Sequence, residues 1–222
     1  MDPPLMADQQ TPRFKLAVVP VTPLQQNCSL IWDVETKKGA VVDPGGDVDY
    51  ILEAVAENDF VVEKIVLTHG HFDHAGGADE LREKLGVKIE GPHLDDKFLL
   101  DDLVATAAKF DIPGGRNVTP DRWIEEGETL EIAGLSFDTY HCPGHSPGSL
   151  VYVNTEHGFA FVGDVLFRGS IGRTDFPYGD HNALINAIQT KLLPLGDHIA
   201  FICGHGPPST FGEEKQGNPF II

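Results

Sequence analysis

Apolar residues in this chain come in short, dense runs separated by glycine, proline and acidic turns. Phe14 to Val21, Cys28 to Asp33 and Ala40 to Asp43 each read as a strand. The turn Asp43-Pro44-Gly45-Gly46 follows, and a helical pattern runs from Val48 to Glu57 with Asp47 as its expected N-cap. Lys64 to Thr68 has the continuous apolar character of a buried strand. A helix over Ala78 to Leu85 stops at Gly86, and Val87-Lys88-Ile89 forms a further short strand. Leu99, Leu100, Leu103, Val104 and Ala107 fall at helical spacing, which predicts a helix over 95–110, broken by Pro113-Gly114-Gly115.

Trp123 to Tyr140 reads as strands turning near Gly127 and Gly134, and Leu150 to Val153 and Phe159 to Val162 as two more. Residues 165–180 form a glycine-rich loop, His181 to Leu193 a helix stopped by Pro194, and Ile199 to Cys203 the last strand before an irregular tail. Strands and helices alternate loosely in each half, so two sheets with helices outside is the natural packing. Residues 1–12 read as a flexible tail and 13–222 as a single domain, with no repeat or clear linker to divide it.

Composition narrows the function classes. A net charge of −18 opposes binding to nucleic acid and to anionic lipid. No apolar run reaches membrane-spanning length, and the acidic, proline-rich start does not read as a secretory signal. The cysteines Cys28, Cys142 and Cys203 are odd in number and form no C-x-x-C pair, which fits the cytoplasm.

Candidate chemistry concentrates at strand ends. Thr68-His69-Gly70-His71-Phe72-Asp73-His74 follows the apolar run Ile65-Val66-Leu67. His69 and His71 are two apart, which points both rings the same way on a strand end, and Gly70 permits a tight backbone. His145 in Pro143-Gly144-His145, Asp164 in Val162-Gly163-Asp164 and His205 in Cys203-Gly204-His205 each follow another apolar run. Five imidazoles and two carboxylates so spaced form a metal ligand set. His93, His141, His157, His181 and His198 match no such pattern, and Cys142 and Cys203 read as small core residues. Asp180 reads as the cap of the helix that follows it. Arg168 and Arg173, in the glycine-rich loop, are candidates either to meet an anionic substrate or to pair with local acids.

The whole pattern from about residue 14 resembles the metallo-β-lactamase superfamily, an αββα sandwich with its metal site at one edge. Gln26-Asn27-Cys28, Gly172-Arg173-Thr174-Asp175-Phe176-Pro177, Gly204 to Thr210 and Asn218-Pro219-Phe220 bring it closest to the small glyoxalase-II-like hydrolases. That resemblance implies His69, His71 and His145 on one metal ion, Asp73, His74 and His205 on a second, and Asp164 bridging both, with Asp73 and Asp164 at the catalytic centre. It implies Asp43 as the carboxylate behind the first histidine; Thr68 is a further candidate, as a donor to a neighbouring carboxylate. It also implies two divalent ions, zinc first and iron or manganese as alternatives, sharing a hydroxide that attacks a small-molecule thioester such as S-lactoylglutathione.

Full-length glyoxalase II carries a C-terminal helical domain. Only 17 residues follow His205 here, so the expectation is a hydrolase lacking that domain. The alternative reading is a persulfide dioxygenase-like enzyme with one iron at His69, His145 and Asp164. By the same resemblance, lactone or β-lactam hydrolysis is expected only as a side activity, because antibiotic-hydrolysing branches typically carry Ser or Cys where Asp164 stands. The oligomeric state is not encoded in any pattern.

Overall fold

Strands that are apolar at nearly every position need cover on both faces. A computed structural model of the chain, describing residues 13–112 and 114–221, shows how that cover is supplied. The expected tail over 1–12, and Pro113 in the expected break, lie outside the described residues. In chain order the first half gives β1 (Phe14–Val21), β2 (Gln26–Asp33), β3 (Lys38–Val42), α1 (Val48–Glu57), β4 (Val61–Val66), α2 (Phe72–Ala75), α3 (Ala78–Leu85) and β5 (Lys88–Glu90). Then come α4 (Lys97–Leu100), α5 (Leu103–Lys109), β6 (Thr129–Ile132), β7 (Leu135–His141), β8 (Leu150–Asn154) and β9 (Phe159–Gly163). The chain continues through β10 (Leu166–Phe167), β11 (Ser170–Ile171), α6 (His181–Ala187), β12 (Ala200–Cys203), β13 (Ser209–Thr210) and α7 (Phe211–Gly217).

The first sheet has the order β1-β2-β3-β4-β5 and the second β13-β12-β9-β8-β7-β6. Alternate residues of one strand serve different layers. Leu30, Val41 and Ile65 pack outward with Ile51, Leu81 and Leu103 of the flanking helices. Their neighbours Ile31, Val42 and Val66 turn inward and meet Phe137, Tyr152 and Phe161 of the second sheet. On that sheet's far side Val151, Val162 and Phe201 pack with Leu184 and Ile188. The result is the αββα sandwich. No helix among the described residues is long and apolar enough to cross a membrane.

Four local expectations need correction. Asp47 does not cap α1: it sits at φ 47° with no side-chain cap bond, and its carboxylate accepts the Thr22 N–H at 2.7 Å instead. The helix expected over 95–110 is three pieces, a 3-10 turn at Leu94–Asp96 followed by α4 and α5. Asp96 in its first turn faces inward to partners on other loops, which a continuous surface helix would not allow. The helix from His181 leaves α-geometry at Ala187, widens into a π-turn over Ile188–Leu192 and ends in a 3-10 turn holding Pro194, which has no N–H to continue the ladder. The tail is ordered by burial: the carboxylate of Glu214 on α7 accepts from Ser209, Gly169 and Asn218, which pins α7 to the β10–β11 turn. That hairpin also lies within the expected glycine-rich loop.

Candidate metal centre

Parallel strands carry their C-terminal ends to one edge, and this fold uses that twice. β3 pairs in parallel with β4, and β9 with β12. Asp43, Thr68 to His74, Asp164 and His205 all follow the ends of these four strands. His145 joins them from the β7–β8 connection, which is tied across by Leu150 N–H donating to Thr68 O at 2.8 Å. Close approach there demands glycine: a Cβ on Gly204 would lie 2.0 Å from Asp164 Oδ1 and 2.4 Å from the His74 ring. Asn27 fixes the His205 loop by donating to Cys203 O at 2.9 Å and Gly206 O at 2.8 Å.

All seven predicted side chains converge in two groups. His69 Nε2 and His145 Nε2 lie 3.0 and 2.9 Å from His71 Nδ1. His205 Nε2 lies 3.1 Å from Asp73 Oδ2, and His74 Nε2 3.9 Å from the same oxygen. Asp164 stands between the groups, with Oδ2 at 3.5 Å from His145 Nε2 and 3.7 Å from His205 Nε2, and Oδ1 at 3.3 Å from His74 Nε2. His74 Nε2 and Asp164 Oδ1 are buried without a hydrogen-bond partner among the described residues. Leaving such atoms unsatisfied is costly, and a divalent cation accepting both would remove the cost. The donor set fits the group that the spacing implied.

Four of the five rings, those of His69, His71, His74 and His145, are aimed by a partner behind them, as metal-binding imidazoles require. His145 Nδ1 donates to Arg173 O at 2.9 Å. His71 Nε2 lies 2.9 Å from the Tyr178 hydroxyl, which keeps Nδ1 turned inward. Asp43 corrects the expectation that it stands behind the first histidine: it contacts His74 Nδ1 at 2.9 Å. It reaches His69 only through Thr68, whose hydroxyl donates to Asp43 Oδ2 at 2.6 Å and lies 3.1 Å from His69 Nδ1. Neither Tyr178 nor Asp96 was singled out by sequence reasoning. Asp96 is fully buried and accepts from Gly70 N, Ser146 Oγ and Gly148 N at 2.7, 2.7 and 2.6 Å, which locks the His71 loop to the His145 loop.

The electrostatics divide along the same line. Burial, reinforced by neighbouring imidazoles, lowers the pKa of His69, and lowers that of His71 to about 3. Burial also lowers His145 against the pull of Asp164, so all three are neutral at pH 7, the form that can ligate. Burial works against charge on His74 too, but Asp164 and Asp73 outweigh it and hold its pKa well above the ordinary value. His205 is raised in the same way by Asp73 and Asp164, against burial. Burial pushes the Cys203 and Cys142 thiols up to about 11 and 12, so neither supplies a thiolate at neutral pH.

Residues set aside earlier stay outside the cluster. His93 and His141 stack on each other with ring centroids 4.3 Å apart, and Asp180 caps α6 through the Ala183 N–H at 2.9 Å. Arg173 pairs with Asp175 at 2.7 and 2.8 Å and lies over the Phe176 ring, while Arg168 is exposed between β10 and β11. A cavity of about 770 Å³ opens onto His71, Asp73, His145, Asp164 and His205.

The family model of the metallo-β-lactamase superfamily matches residues 21–205. This chain belongs to the metallo-β-lactamase superfamily. It is 48% identical over 209 residues to the hydroxyacylglutathione hydrolase GloC of Haemophilus influenzae, covering 94% of this chain and 98% of that protein. Among solved structures it is similar to the BLEG-1 B3 metallo-β-lactamase, with a TM-score of 0.86, 33% identity, and coverage of 93% of this chain and 99% of that one. TTHA1623, solved in a di-iron-bound form, gives a TM-score of 0.82 and 35% identity over 92% of this chain and 99% of that one. For a metallo-β-lactamase superfamily protein the two groups around Asp164 form a His/Asp cluster suited to divalent metal ions.

Proposed function

We propose that this protein is a binuclear metallohydrolase that cleaves thioesters, in the manner of glyoxalase II. His69, His71 and His145 would hold one cation and Asp73, His74 and His205 the other, with Asp164, standing between the groups, shared by both. Zinc is the first expectation. Iron suits the same donors and is what the similar TTHA1623 binds. Two such cations, when bound, acidify a water and polarise the scissile carbonyl.

The chain's own residues do the rest. Asp43, Tyr178 and Arg173 O hold the rings in one orientation and fix their tautomers. With Tyr178 accepting the His71 proton, its hydroxyl hydrogen is left to donate into the cavity it lines. Burial pushes that phenol up to about 12, so it stays protonated at pH 7. A thiolate leaves readily, so no strong general acid is required.

The observation that carries this reading is the position of Asp164 between two complete ligand groups. A mononuclear iron site would use only His69, His145 and Asp164 and leave the convergence of Asp73, His74 and His205 without a purpose. The near full-length similarity to a hydroxyacylglutathione hydrolase supports the thioester. Metal-loaded protein is expected to hydrolyse S-lactoylglutathione, to lose that activity on chelation and to regain it on adding metal. Turnover no faster than that of His71→Ala would defeat the proposal.

Metal loading is expected to depend on pH. In the metal-free protein the raised pKa values of His74 and His205 keep their protons further into the neutral range. A cation must displace them, so affinity rises with pH, and calorimetry at about pH 7 detects released protons through the buffer's ionisation heat. Affinity unchanged between about pH 6 and 8 would show that these two rings do not ligate.

A further inference from the structure

The cavity in front of the ligand cluster is far larger than a lactoyl group needs, and two of its walls are apolar. On one side stand Phe98 on α4, Leu103 on α5, and Phe110 just after it; on the other stand Phe167 and Ile171 of the β10–β11 hairpin. Phe98 and Phe110 are 47% and 54% exposed, a large aromatic surface left open to solvent. Two charged walls flank it, Asp102 and Lys109, of opposite sign. The remaining lining cation beyond the ligands, Arg173, is already engaged by Asp175. A polar tripeptide with two carboxylates and one ammonium group finds few fixed partners here, whereas an apolar group covers surface that otherwise faces water.

We infer that the pocket selects thioesters whose acyl part is an extended apolar chain or an aryl group. This rests on the thioesterase reading above and names its substrate class. The scissile carbonyl must sit at the cluster of His71, His145 and Asp164, which opens directly into the cavity, so the acyl substituent runs along the Phe98 and Phe110 wall. The thiol carrier then projects to solvent and is selected weakly. The bond broken is the acyl C–S bond; water supplies the hydroxyl of the carboxylic acid product, and the sulfur leaves as thiol.

The test uses S-acyl glutathiones from acetyl to octanoyl, together with S-lactoylglutathione, on metal-loaded protein. kcat/KM is expected to rise about two- to four-fold per added methylene until the wall is covered. Phe98→Ser and Phe110→Ser should each flatten this series, lowering the octanoyl-to-acetyl ratio about ten-fold. Binding gives a readout independent of turnover. The uncleavable thioether S-hexylglutathione should bind about 30-fold or more tighter than S-methylglutathione, with a negative heat-capacity change. Turnover of acetyl and lactoyl esters with a flat or falling chain-length series, and equal thioether affinities, would overturn this inference and leave the thioesterase reading standing. Absence of turnover with every thioester would overturn both, and tight thioether binding would not rescue either.

Discussion

Asp164→Ala is expected to lower thioester turnover by about a thousand-fold or more and to reduce bound metal from two ions per chain to one or none. The expectation comes from its position. One carboxylate oxygen faces His145 and His205 and the other faces His74, so its carboxylate lies between the two groups. Its pKa is held far below the usual carboxylate range: burial raises it, but the nearby His74 charge, with help from His145 and His205, dominates. The fold should survive, because the variant removes a charge from a crowded site rather than apolar packing, and far-ultraviolet circular dichroism checks this. Asp164→Asn separates charge from shape: it keeps the volume and loses the anion, and should be nearly as inactive. Two tightly held metal ions and near-parental rates in the alanine variant would remove the two-cation mechanism.

Asp96→Ala is the second large effect, and it acts through a residue that touches no proposed ligand side chain. Burial lifts the Asp96 pKa to about 6, opposed by its bonds from Ser146, Gly70 and Gly148, so it is mainly ionised at neutral pH. Truncation leaves the Gly70 and Gly148 N–H groups buried without an acceptor, leaves the Ser146 hydroxyl with Ser149 alone, and opens a cavity among them. Breaking a buried charged network of this kind costs about 3–5 kcal/mol. For a chain of this size that corresponds to a fall in Tm of roughly 10–15 °C. Because Gly70 lies between His69 and His71, and Ser146 beside His145, the first metal should also be lost more readily than the second. Asp96→Asn keeps one acceptor oxygen but turns an amide donor toward N–H groups, so an intermediate loss is expected. A melting temperature within about 2 °C of the parent would show that the two loops hold their places without it.

Much of the site is legible along the chain because its signal is local. His69, His71, Asp73 and His74 fall within six residues, directly after a strand whose apolar run marks it as buried. His145, Asp164 and His205 repeat the same grammar, a ligand beside glycine just past an apolar run. The layer order was legible for a similar reason, since runs such as Leu150 to Val153 have no wet face and need neighbours on both sides. Asp96 was not legible. It lies in an apparently helical stretch, and its partners are 26, 50 and 52 residues away. Asp43 was placed behind the first histidine by resemblance, and only the packing of the strand ends brings its carboxylate to the His74 ring. The tail looked irregular because α7 is short and owes its order to a buried glutamate bonded to a hairpin some 45 residues earlier.

By itself the sequence determined which residue types stand at strand ends and which strands must be buried, because side-chain chemistry and the two-residue period act over a few positions. Only the tertiary structure decided that Asp164 stands between two ligand groups, that Asp96 joins the His71 loop to the His145 loop, and that Phe98 and Phe110 wall the cavity. Those facts depend on where distant strand ends arrive after the two sheets have packed, and that arrival is set by the summed packing of the core rather than by any one segment.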